Sequence, residues 1–388
     1  MDIALINNSQ TPYRLAFHRR LARELDGVRI HSVFTHDVSS FAWTIDNPDE
    51  INPIVFGPGE VAINQSRPSY ALHELRKAGR IIEWMKATRI RAVILGGYND
   101  PGYLRVMNWC RRSGVPCLLF GDSNIRDDAV TGWRRVLKNA LLRRVVRSCS
   151  AFLACGSLGR AYYERYGVPE ARIFYTPYEP DYALIEHIDP AFVDEVCRTL
   201  GLARDRRRIV FSGRFIPVKR VDALIAAFCD IAEKRPEWDL VLVGDGPLRG
   251  ALESAVPSHL SHRVKWTGFL TDQRQISAIY RASDVLALPS RKEPWALVVN
   301  EAAAAGMAIV CSDVVGAGAE LVRSDVNGFV VPVAAGRERL ADALFKVTDP
   351  SRIDFYKSHS APLLQEWRRT ADPVDGLRRA LRFVGAVP

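Results

Sequence analysis

From residue 207 onward the chain alternates between short apolar runs and longer amphipathic segments, which restricts the folds it can adopt. Apolar runs of strand length occupy residues 209–211, 240–243, 264–269, 285–288, 308–311 and 328–331. Segments with apolar residues at helical spacing lie between several of them, at 219–234, 248–255 and 272–281. Such alternation predicts right-handed β-α-β units and a parallel sheet. Because the runs are apolar at nearly every position, we expect helices on both faces of that sheet.

The first half of the chain follows a similar plan. Strands are predicted at 3–6, 30–34, 92–95, 117–120, 152–154 and 173–175, and helices at 13–25, 70–88, 102–112, 133–147 and 158–166. The sequence therefore predicts an α/β protein with two doubly wound, Rossmann-like parallel-sheet domains facing each other across a cleft. Ligands of such sheets bind beyond the carboxyl ends of the strands, so functional residues should follow strands directly.

Composition narrows the possible classes of protein. The chain has 388 residues, of which 48% are hydrophobic, and this is enough to bury two ordinary cores. Its seven cysteines lack C-x-x-C spacing and predict buried thiols rather than disulfides or zinc ligands. No secretory or membrane-spanning pattern is visible, so we expect a cytoplasmic protein. A net charge of +9 suits an anionic substrate or an anionic membrane, and no nucleic-acid-binding motif accompanies it.

Two carboxylates frame the segment that follows the run at 285–288. Glu293 lies in the turn after that run, and Glu301 lies further along a helix predicted to start near Trp295. The amides of the first helical turn lack intrahelical partners and attract phosphate, whereas an ionised carboxylate accepts hydrogen bonds from hydroxyls. Together they predict a site for a nucleotide sugar. The alternative is that Glu293 caps the helix and Glu301 is a solvated helical residue.

Cations and glycines follow the neighbouring strands. Gly213 and Arg214 come shortly after the run at 209–211, and Lys219 follows at the predicted start of a helix. Two cations beside a phosphate site would stabilise a diphosphate as it leaves, although both could also be solvated. The Gly-Asp-Gly-Pro sequence at 244–247 predicts a turn with a structural role rather than a ligand contact. Gly268 and Phe269 end another strand and could lie against a nucleobase.

These features together resemble a known enzyme family. The residues that carry the resemblance are Gly213, Arg214, Lys219, the turn at 244–247, Gly268, Asp284 and Val285 with Pro289 and Ser290, and the stretch from Glu293 to Glu301 with Ala302 and Gly306 after it. Over about residues 207–332 the chain resembles glycosyltransferase family 4, the retaining group 1 glycosyl transferases of GT-B fold. The resemblance implies transfer of a sugar from a nucleotide diphosphate sugar. It also implies domains at 1–180 and 207–365, a connection at 181–206 and a C-terminal helix in 366–388 that returns to the first domain.

The resemblance also assigns roles to individual residues. It implies that Arg214 and Lys219 contact the diphosphate, Glu293 the hydroxyls of the donor sugar and Glu301 the ribose. The remaining donor contacts are implied for Gly213, Gly268, Phe269, Pro294, Trp295, Ala296 and Leu297. Ala296 departs from the family pattern, which commonly has Gly there.

The acceptor side is expected in the first half of the chain. The Pro-Tyr-Arg sequence at 12–14, which begins with Pro12 and Tyr13, resembles that of a branch of the family linked to bacterial surface polysaccharides. Tyr98 and Asn99 follow the run at 92–95. Asp122 follows the run at 117–120 and could orient the acceptor hydroxyl or stabilise positive charge at the anomeric carbon. The alternative is that Asp122 only forms a turn. His18, in a basic stretch, is interpreted as a surface residue.

The segment 133–147 has six basic residues and no acidic residue beside an apolar face. Such a helix can lie on an anionic bilayer at the inner face of the cytoplasmic membrane, which would suit a lipid-linked acceptor. The alternative is an ordinary core helix with a solvated basic face.

The expected reaction needs neither a metal ion nor another cofactor. The chain contains no D-x-D sequence, and Arg214, Lys219 and the helix terminus would take the place of a cation. We expect a front-face transfer in which Glu293 and Asp122 assist and the departing phosphate oxygen takes the acceptor proton. The alternatives are an inverting GT-B transferase, a nucleotide-sugar epimerase, and a non-catalytic nucleotide-sugar binder. Nucleic acid is not an expected partner.

Overall fold

The computed structural model describes residues 1–37, 51–61, 68–128 and 130–387. Its chain divides into two compact units, one formed by Met1–Glu179 with Ala371–Pro388 and the other by Pro180–Thr370. Each unit is built on one parallel sheet, as the alternation of the sequence predicts.

The sheet of the first unit has seven parallel strands. They are β1 (Asp2–Asn7), β2 (Arg29–Phe34), β3 (Ile54–Val55), β4 (Ala92–Leu95), β5 (Cys117–Gly121), β6 (Ala151–Ala154) and β7 (Ile173–Tyr175), in the spatial order β3-β2-β1-β4-β5-β6-β7. The helices are α1 (Pro12–Glu24), α2 (Pro68–Thr88), α3 (Pro101–Ser113), α4 (Gly132–Ser148) and α5 (Ser157–Arg165). Strand order reverses beside β1, where β4 pairs on its other side. Only the two-residue strand β3 had no counterpart among the predicted strands.

Local sequence sets the ends of these helices. In α3, Asp100 is the N-cap, and its side chain accepts hydrogen bonds from the amides of Gly102 (2.6 Å) and Tyr103 (3.3 Å). Pro101 occupies the first helical position, where its missing N–H costs nothing. Gly114 ends the helix with a left-handed φ of 68°. These caps position the loop after β4, which carries two of the predicted acceptor residues.

The second unit is a six-stranded parallel sheet. Its strands are β8 (Arg207–Ser212), β9 (Trp238–Val243), β10 (Val264–Gly268), β11 (Val285–Leu288), β12 (Ala308–Ser312) and β13 (Gly328–Val331), in the order β10-β9-β8-β11-β12-β13. All four residues of β11 are buried, which agrees with a strand covered on both faces.

Nine helices surround this sheet in the described part of the chain. They are α6 (Ala183–Glu186), α7 (Pro190–Thr199), α8 (Val221–Ala232), α9 (Arg249–Ser254), α10 (Gln273–Arg281), α11 (Leu297–Ala304), α12 (Gly316–Leu321), α13 (Gly336–Val347) and α14 (Ile353–Thr370). The segment 181–206, for which the sequence predicts a connection, contains α6 and α7, and both pack against α10 within the second unit.

The last helix, α15 (Pro373–Phe383), belongs to the first unit. Asp372 caps it, accepting hydrogen bonds from two amides of its first turn at 2.9 Å, and Pro373 separates it from α14. Gly376 lies so close to β7 that a Cβ on it would stand 1.7 Å from the carbonyl oxygen of Tyr175. The backbone of α15 therefore packs directly against the backbone of β7.

Six of the seven cysteines are buried, Cys229 is half-buried, and all are free thiols. This agrees with the thiols predicted from their spacing. No helix in the described ranges combines the length and apolar character needed to cross a bilayer.

Candidate functional site

Three glycines bring the backbone together where β8, β9 and β10 end. Gly213 donates its amide hydrogen bond to the carbonyl of Val243, and Gly244 donates to the carbonyl of Gly268, both at 3.0 Å. A Cβ on Gly244 would lie 2.0 Å from the oxygen of Gly213. The φ angles of the three glycines, 152°, 132° and 73°, fall where other residues are strained. The carboxyl edge of this sheet is therefore lined by backbone that a ligand can approach closely.

Phe269, directly after Gly268, is 41% exposed despite its size. An exposed aromatic ring at a strand end offers a flat apolar surface for a base. Its place at this edge is compatible with the predicted contact to a nucleobase.

One predicted cation and one predicted carboxylate meet at this edge. The Nζ of Lys219 forms an ion pair with Oε2 of Glu293, and the hydroxyl of Ser290 donates to the same oxygen at 3.1 Å. The side chains of Lys219 and Glu293 are 20% and 11% exposed, so the pair is largely shielded from water. Lys219 lies in a short 3₁₀ turn before α8 rather than in the helix predicted from 219. Arg214 is exposed on the loop that leads into this turn.

The segment that carries Glu293 is held by the start of α12. The amide of Gly316 donates to the carbonyl of Glu293 at 3.3 Å, and the amide of Ala317 donates to that of Trp295 at 2.8 Å. A Cβ on Gly316 would lie 2.2 Å from the oxygen of Pro294. The position of Glu293 is therefore set by backbone on one side and by Lys219 on the other.

Ala296 adopts a left-handed conformation, with φ at 77° and ψ at 79°. L-residues with a Cβ are strained in this region, which gives a physical reason for a glycine at the equivalent family position. Helix α11 starts only at Leu297, so the prediction that the amides of Trp295 and Ala296 lie in its first turn is wrong. The left-handed residue breaks the helical path and leaves both before the helix.

The side chain of Trp295, a residue for which the resemblance implies a donor contact, points into the protein. Its side chain is 3% exposed and packs against Trp367 of α14, with ring centroids 6.3 Å apart. Burial of the indole ring against α14 is favourable because it removes a large apolar surface from water. Any donor contact from Trp295 is therefore a backbone contact.

Glu301 lies on α11 with two partners from α10. Nε2 of Gln273 donates to Oε1 of Glu301 at 2.9 Å, and the hydroxyl of Tyr280 hydrogen-bonds to the same carboxyl. Burial raises the pKa of Glu301 to about 7, although both hydrogen bonds oppose this shift. The carboxyl is therefore only partly ionised at neutral pH.

The sequence reasoning missed Gln273, Tyr280 and Ser290. The first two are seven residues apart on one helix, which places them on the same face two turns apart. This spacing was the available signal. Ser290 precedes Glu293 by three residues and could have been recognised as a local hydrogen-bond donor.

The predicted acceptor residues surround the sheet of the first unit. Pro12 begins α1, and Tyr13 packs edge-to-face on Tyr178 at 5.1 Å. The hydroxyl of Tyr98 lies 2.5 Å from that of Tyr162, while Asn99 is exposed. Asp122 is exposed directly after β5.

His18 is buried, so its interpretation as a surface residue is wrong. It is 1% exposed, stacks on Phe34 at 5.7 Å, and its Nδ1 lies 2.7 Å from the hydroxyl of Ser32. It lies on the inward face of α1, between the buried Phe17 and the half-buried Arg19. Burial and the nearby charge of Arg14 lower the pKa of His18 to about 3, which keeps the ring neutral.

One group of side chains has the spacing of metal ligands. Ligand atoms of His36, Glu60 and Glu74 all lie within 4.8 Å of one another. However, the Nζ of Lys77 lies 2.6 Å from Oε2 of Glu60 and 2.8 Å from Oε1 of Glu74. The ammonium group pairs with both carboxylates, so we interpret the cluster as an ionic network that ties α2 to the loop after β3.

Comparison with known proteins agrees with this arrangement. Residues 206–349 match the family described as glycosyl transferases, group 1. A D-inositol 3-phosphate glycosyltransferase of Saccharomonospora viridis is 33% identical over 189 residues, which cover 45% of this chain and 43% of that protein. The chain thus matches less than half the length of this relative.

Two solved structures are similar over nearly the whole chain. HepE of Anabaena, crystallised with UDP and glucose, has a TM-score of 0.72 and 19% identity, with 100% of both chains covered. Sucrose-phosphate synthase from Thermosynechococcus elongatus has a TM-score of 0.74 and 19% identity, with 98% of this chain and 99% of that chain covered. At such low identity these similarities establish the fold, which is GT-B. The second unit, over residues 206–349, is therefore a group 1 glycosyl transferase domain.

Proposed function

We propose that this chain is a metal-independent glycosyltransferase that moves a sugar from a nucleotide diphosphate sugar to a hydroxyl of a glycan or lipid-linked acceptor. The observation that carries the proposal is the group formed by Lys219, Glu293 and Ser290 at the carboxyl edge of the second sheet. A shielded carboxylate held by a cation and a hydroxyl is suited to accept hydrogen bonds from sugar hydroxyls. The group 1 domain match over the same residues supports the assignment.

Each donor contact follows from the chemistry of its residue. Arg214 and Lys219 supply positive charge to the diphosphate as it leaves, the role a metal ion has in other transferases. Phe269 offers its exposed ring to the base, and Glu301 accepts hydrogen bonds from the ribose. The amide of Leu297, at the start of α11, is free of intrahelical partners by position and suits a phosphate oxygen.

We further propose that the transfer retains the anomeric configuration. The bond between C1 and the leaving phosphate oxygen breaks, that oxygen takes the acceptor proton, and the acceptor oxygen bonds to C1 from the same face. The protein then contributes positioning and charge stabilisation rather than a nucleophile. Asp122 orients the acceptor hydroxyl, with Pro12, Tyr13, Tyr98 and Asn99 shaping the acceptor side. We place the reaction in bacterial surface polysaccharide synthesis, in the cytoplasm.

A thermal-shift panel of UDP, GDP and ADP, alone and as sugar conjugates, tests the donor assignment. We expect one nucleotide family to stabilise the wild type by about 3 kcal/mol at one hundred times its dissociation constant. Glu301→Ala should abolish this shift, whereas Glu233→Ala, an exposed carboxylate of the same unit, should keep it. Because only the ionised carboxylate accepts hydrogen bonds from both ribose hydroxyls, the thermal shift caused by the nucleotide should be larger at pH 8 than at pH 6.

The outcomes separate the alternatives. No shift with any nucleotide, or equal shifts in wild type and Glu301→Ala, would contradict the donor site. A shift without sugar transfer to any acceptor would favour a non-catalytic binder, and conversion of the free donor sugar would favour an epimerase. An inverted linkage in the product, read from its anomeric proton, would assign an inverting transferase.

A further inference from the structure

Helix α4 presents four of its apolar side chains to solvent. Trp133, Val136 and Leu137 are 69%, 68% and 60% exposed, and Leu141 is 36% exposed. Their spacing places all four along one side of the helix. A single exposed apolar residue needs no explanation, but a contiguous stripe with a tryptophan marks an interaction surface.

The opposite side of α4 already holds the helix on the protein. Leu142 and Val145 are buried, and they belong to the core cluster of the first unit. Two of the basic residues also point this way: Nζ of Lys138 lies 2.7 Å from Oδ1 of Asp128, and Nε of Arg135 donates to the carbonyl of Val130 at 2.8 Å. The exposed stripe is therefore not needed for packing, and the alternative of an ordinary core helix accounts for only one side of α4.

We call the side of α4 that carries the exposed apolar residues its outer side, and the second half of this side is basic. Arg143, Arg144 and Arg147 are exposed, and with Arg111 of α3 they line a groove of about 500 Å³. Within the described ranges no carboxylate forms an ion pair with Arg143, Arg144 or Arg147. Along one helix, two apolar turns are thus followed by two turns with unneutralised arginines.

We propose that this outer side of α4 is a docking surface for anionic phospholipid, with Trp133, Val136 and Leu137 entering the interfacial region and the arginines binding headgroup phosphates. Arginine suits phosphate because its planar guanidinium donates two parallel hydrogen bonds. Tryptophan is favoured at the membrane interface, where its ring is partly apolar and partly polar. A second copy of the chain is a poorer occupant, because self-association would bring two arginine clusters together on a protein of net charge +9. The surface stands independently of the donor chemistry proposed for the second unit.

Vesicle flotation of the full chain tests the surface, with phosphatidylcholine vesicles and with vesicles in which about one lipid in three is phosphatidylglycerol. We expect binding to the anionic vesicles only, weakened by salt. A variant with Arg143→Ser, Arg144→Ser and Arg147→Ser should bind about 100-fold more weakly, since each basic residue near an anionic surface contributes about a factor of five. A variant with Trp133→Ser, Val136→Ser and Leu137→Ser should lose about tenfold or more.

The matched control removes the same charge from elsewhere on the same unit, with Arg23→Ser, Arg76→Ser and Arg91→Ser, all exposed. It should keep nearly full binding. All three variants should show the wild-type melting temperature and the wild-type nucleotide response, so that a failure of the donor proposal stays separate from a failure of this one. Equal loss in the control and the α4 variants, or no binding to either vesicle, would overturn the proposal. A dimer that dissociates in the apolar variant, without vesicle binding, would assign the surface to a second copy instead.

Discussion

The carboxyl of Glu301 should destabilise the ligand-free protein at neutral and alkaline pH, and Glu301→Gln should reverse this. Burial raises the pKa of Glu301 from an ordinary value of 4.5 to about 7. At about 1.4 kcal/mol per pKa unit, the ionised form costs about 3 kcal/mol of folding free energy at pH 8. Glutamine keeps an acceptor for Gln273 without the charge. Removal of the carboxylate should therefore stabilise a domain of this size by roughly 6–12 °C at pH 8.

The raised pKa of Glu301 determines how the stability difference between wild type and Glu301→Gln changes with pH. A proton bound more tightly in the folded state adds stability that is complete below pH 4.5 and is lost as pH rises through about 7. The advantage of Glu301→Gln over wild type should thus be under about 1 kcal/mol at pH 5, grow between pH 5 and 7, and stay constant above pH 8.

Urea denaturation of wild type and Glu301→Gln at pH 5, 6, 7 and 8 measures this difference. The exposed carboxylate Glu233 provides the control, because Glu233→Gln should leave stability unchanged to within about 0.5 kcal/mol at every pH. A pH-independent gain in Glu301→Gln, or a loss, would refute the reasoning, since it would show that ionisation of Glu301 is not what costs stability.

Further substitutions test the geometry around the site and the domain organisation by chemical denaturation. Ala296→Gly should stabilise the protein by about 0.5–1 kcal/mol, because it relieves a left-handed φ of 77°. Gly376→Ala should destabilise it by about 3 kcal/mol or more, since the new Cβ would collide with a carbonyl of β7, whereas Gly250→Ala, with open space around it, should be neutral or slightly stabilising. Lys219→Met should cost about 2–3 kcal/mol by leaving Glu293 without its cation, and adding Glu293→Gln should recover most of that cost.

Each of these predictions has a clear contrary result. A loss of stability in Ala296→Gly would mean that the left-handed conformation carries no strain. Equal effects of Gly376→Ala and Gly250→Ala on stability would mean that α15 does not depend on close packing against β7. Additive effects of the changes at Lys219 and Glu293 would mean that the two side chains do not depend on each other.

The parallel sheet of the second unit was predictable because each strand is a continuous apolar run bounded by turn residues. Strands β11 and β13 occur at the predicted residues, and β8 and β9 extend the predictions by one to two residues at their ends. The meeting of two candidate site residues was predictable for a related reason: side chains that follow parallel strands meet at one edge, as Lys219 and Glu293 do.

The direction in which a side chain points was harder to predict from the sequence, because it depends on packing between elements distant in sequence. Periodicity identified an apolar side on α4 but could not say whether the fold covers it. The ring of Trp295 turned inward because α14 places another tryptophan beside it. His18 was assigned to the surface because the stretch around it is basic, although Arg19 and Arg20 are themselves half-buried and His18 faces the core.

The place of α15 in the first unit has a consequence for biosynthesis. That unit is made of Met1–Glu179 and Ala371–Pro388, so the residues of the second unit are translated before its last helix exists. A ribosome that adds about 5–20 residues per second needs roughly 10–40 s for the intervening stretch. During that interval the nascent first sheet lacks the helix whose Val374, Leu377 and Leu381 become buried. The newborn chain therefore has an uncovered apolar surface for a chaperone to bind until translation is nearly finished.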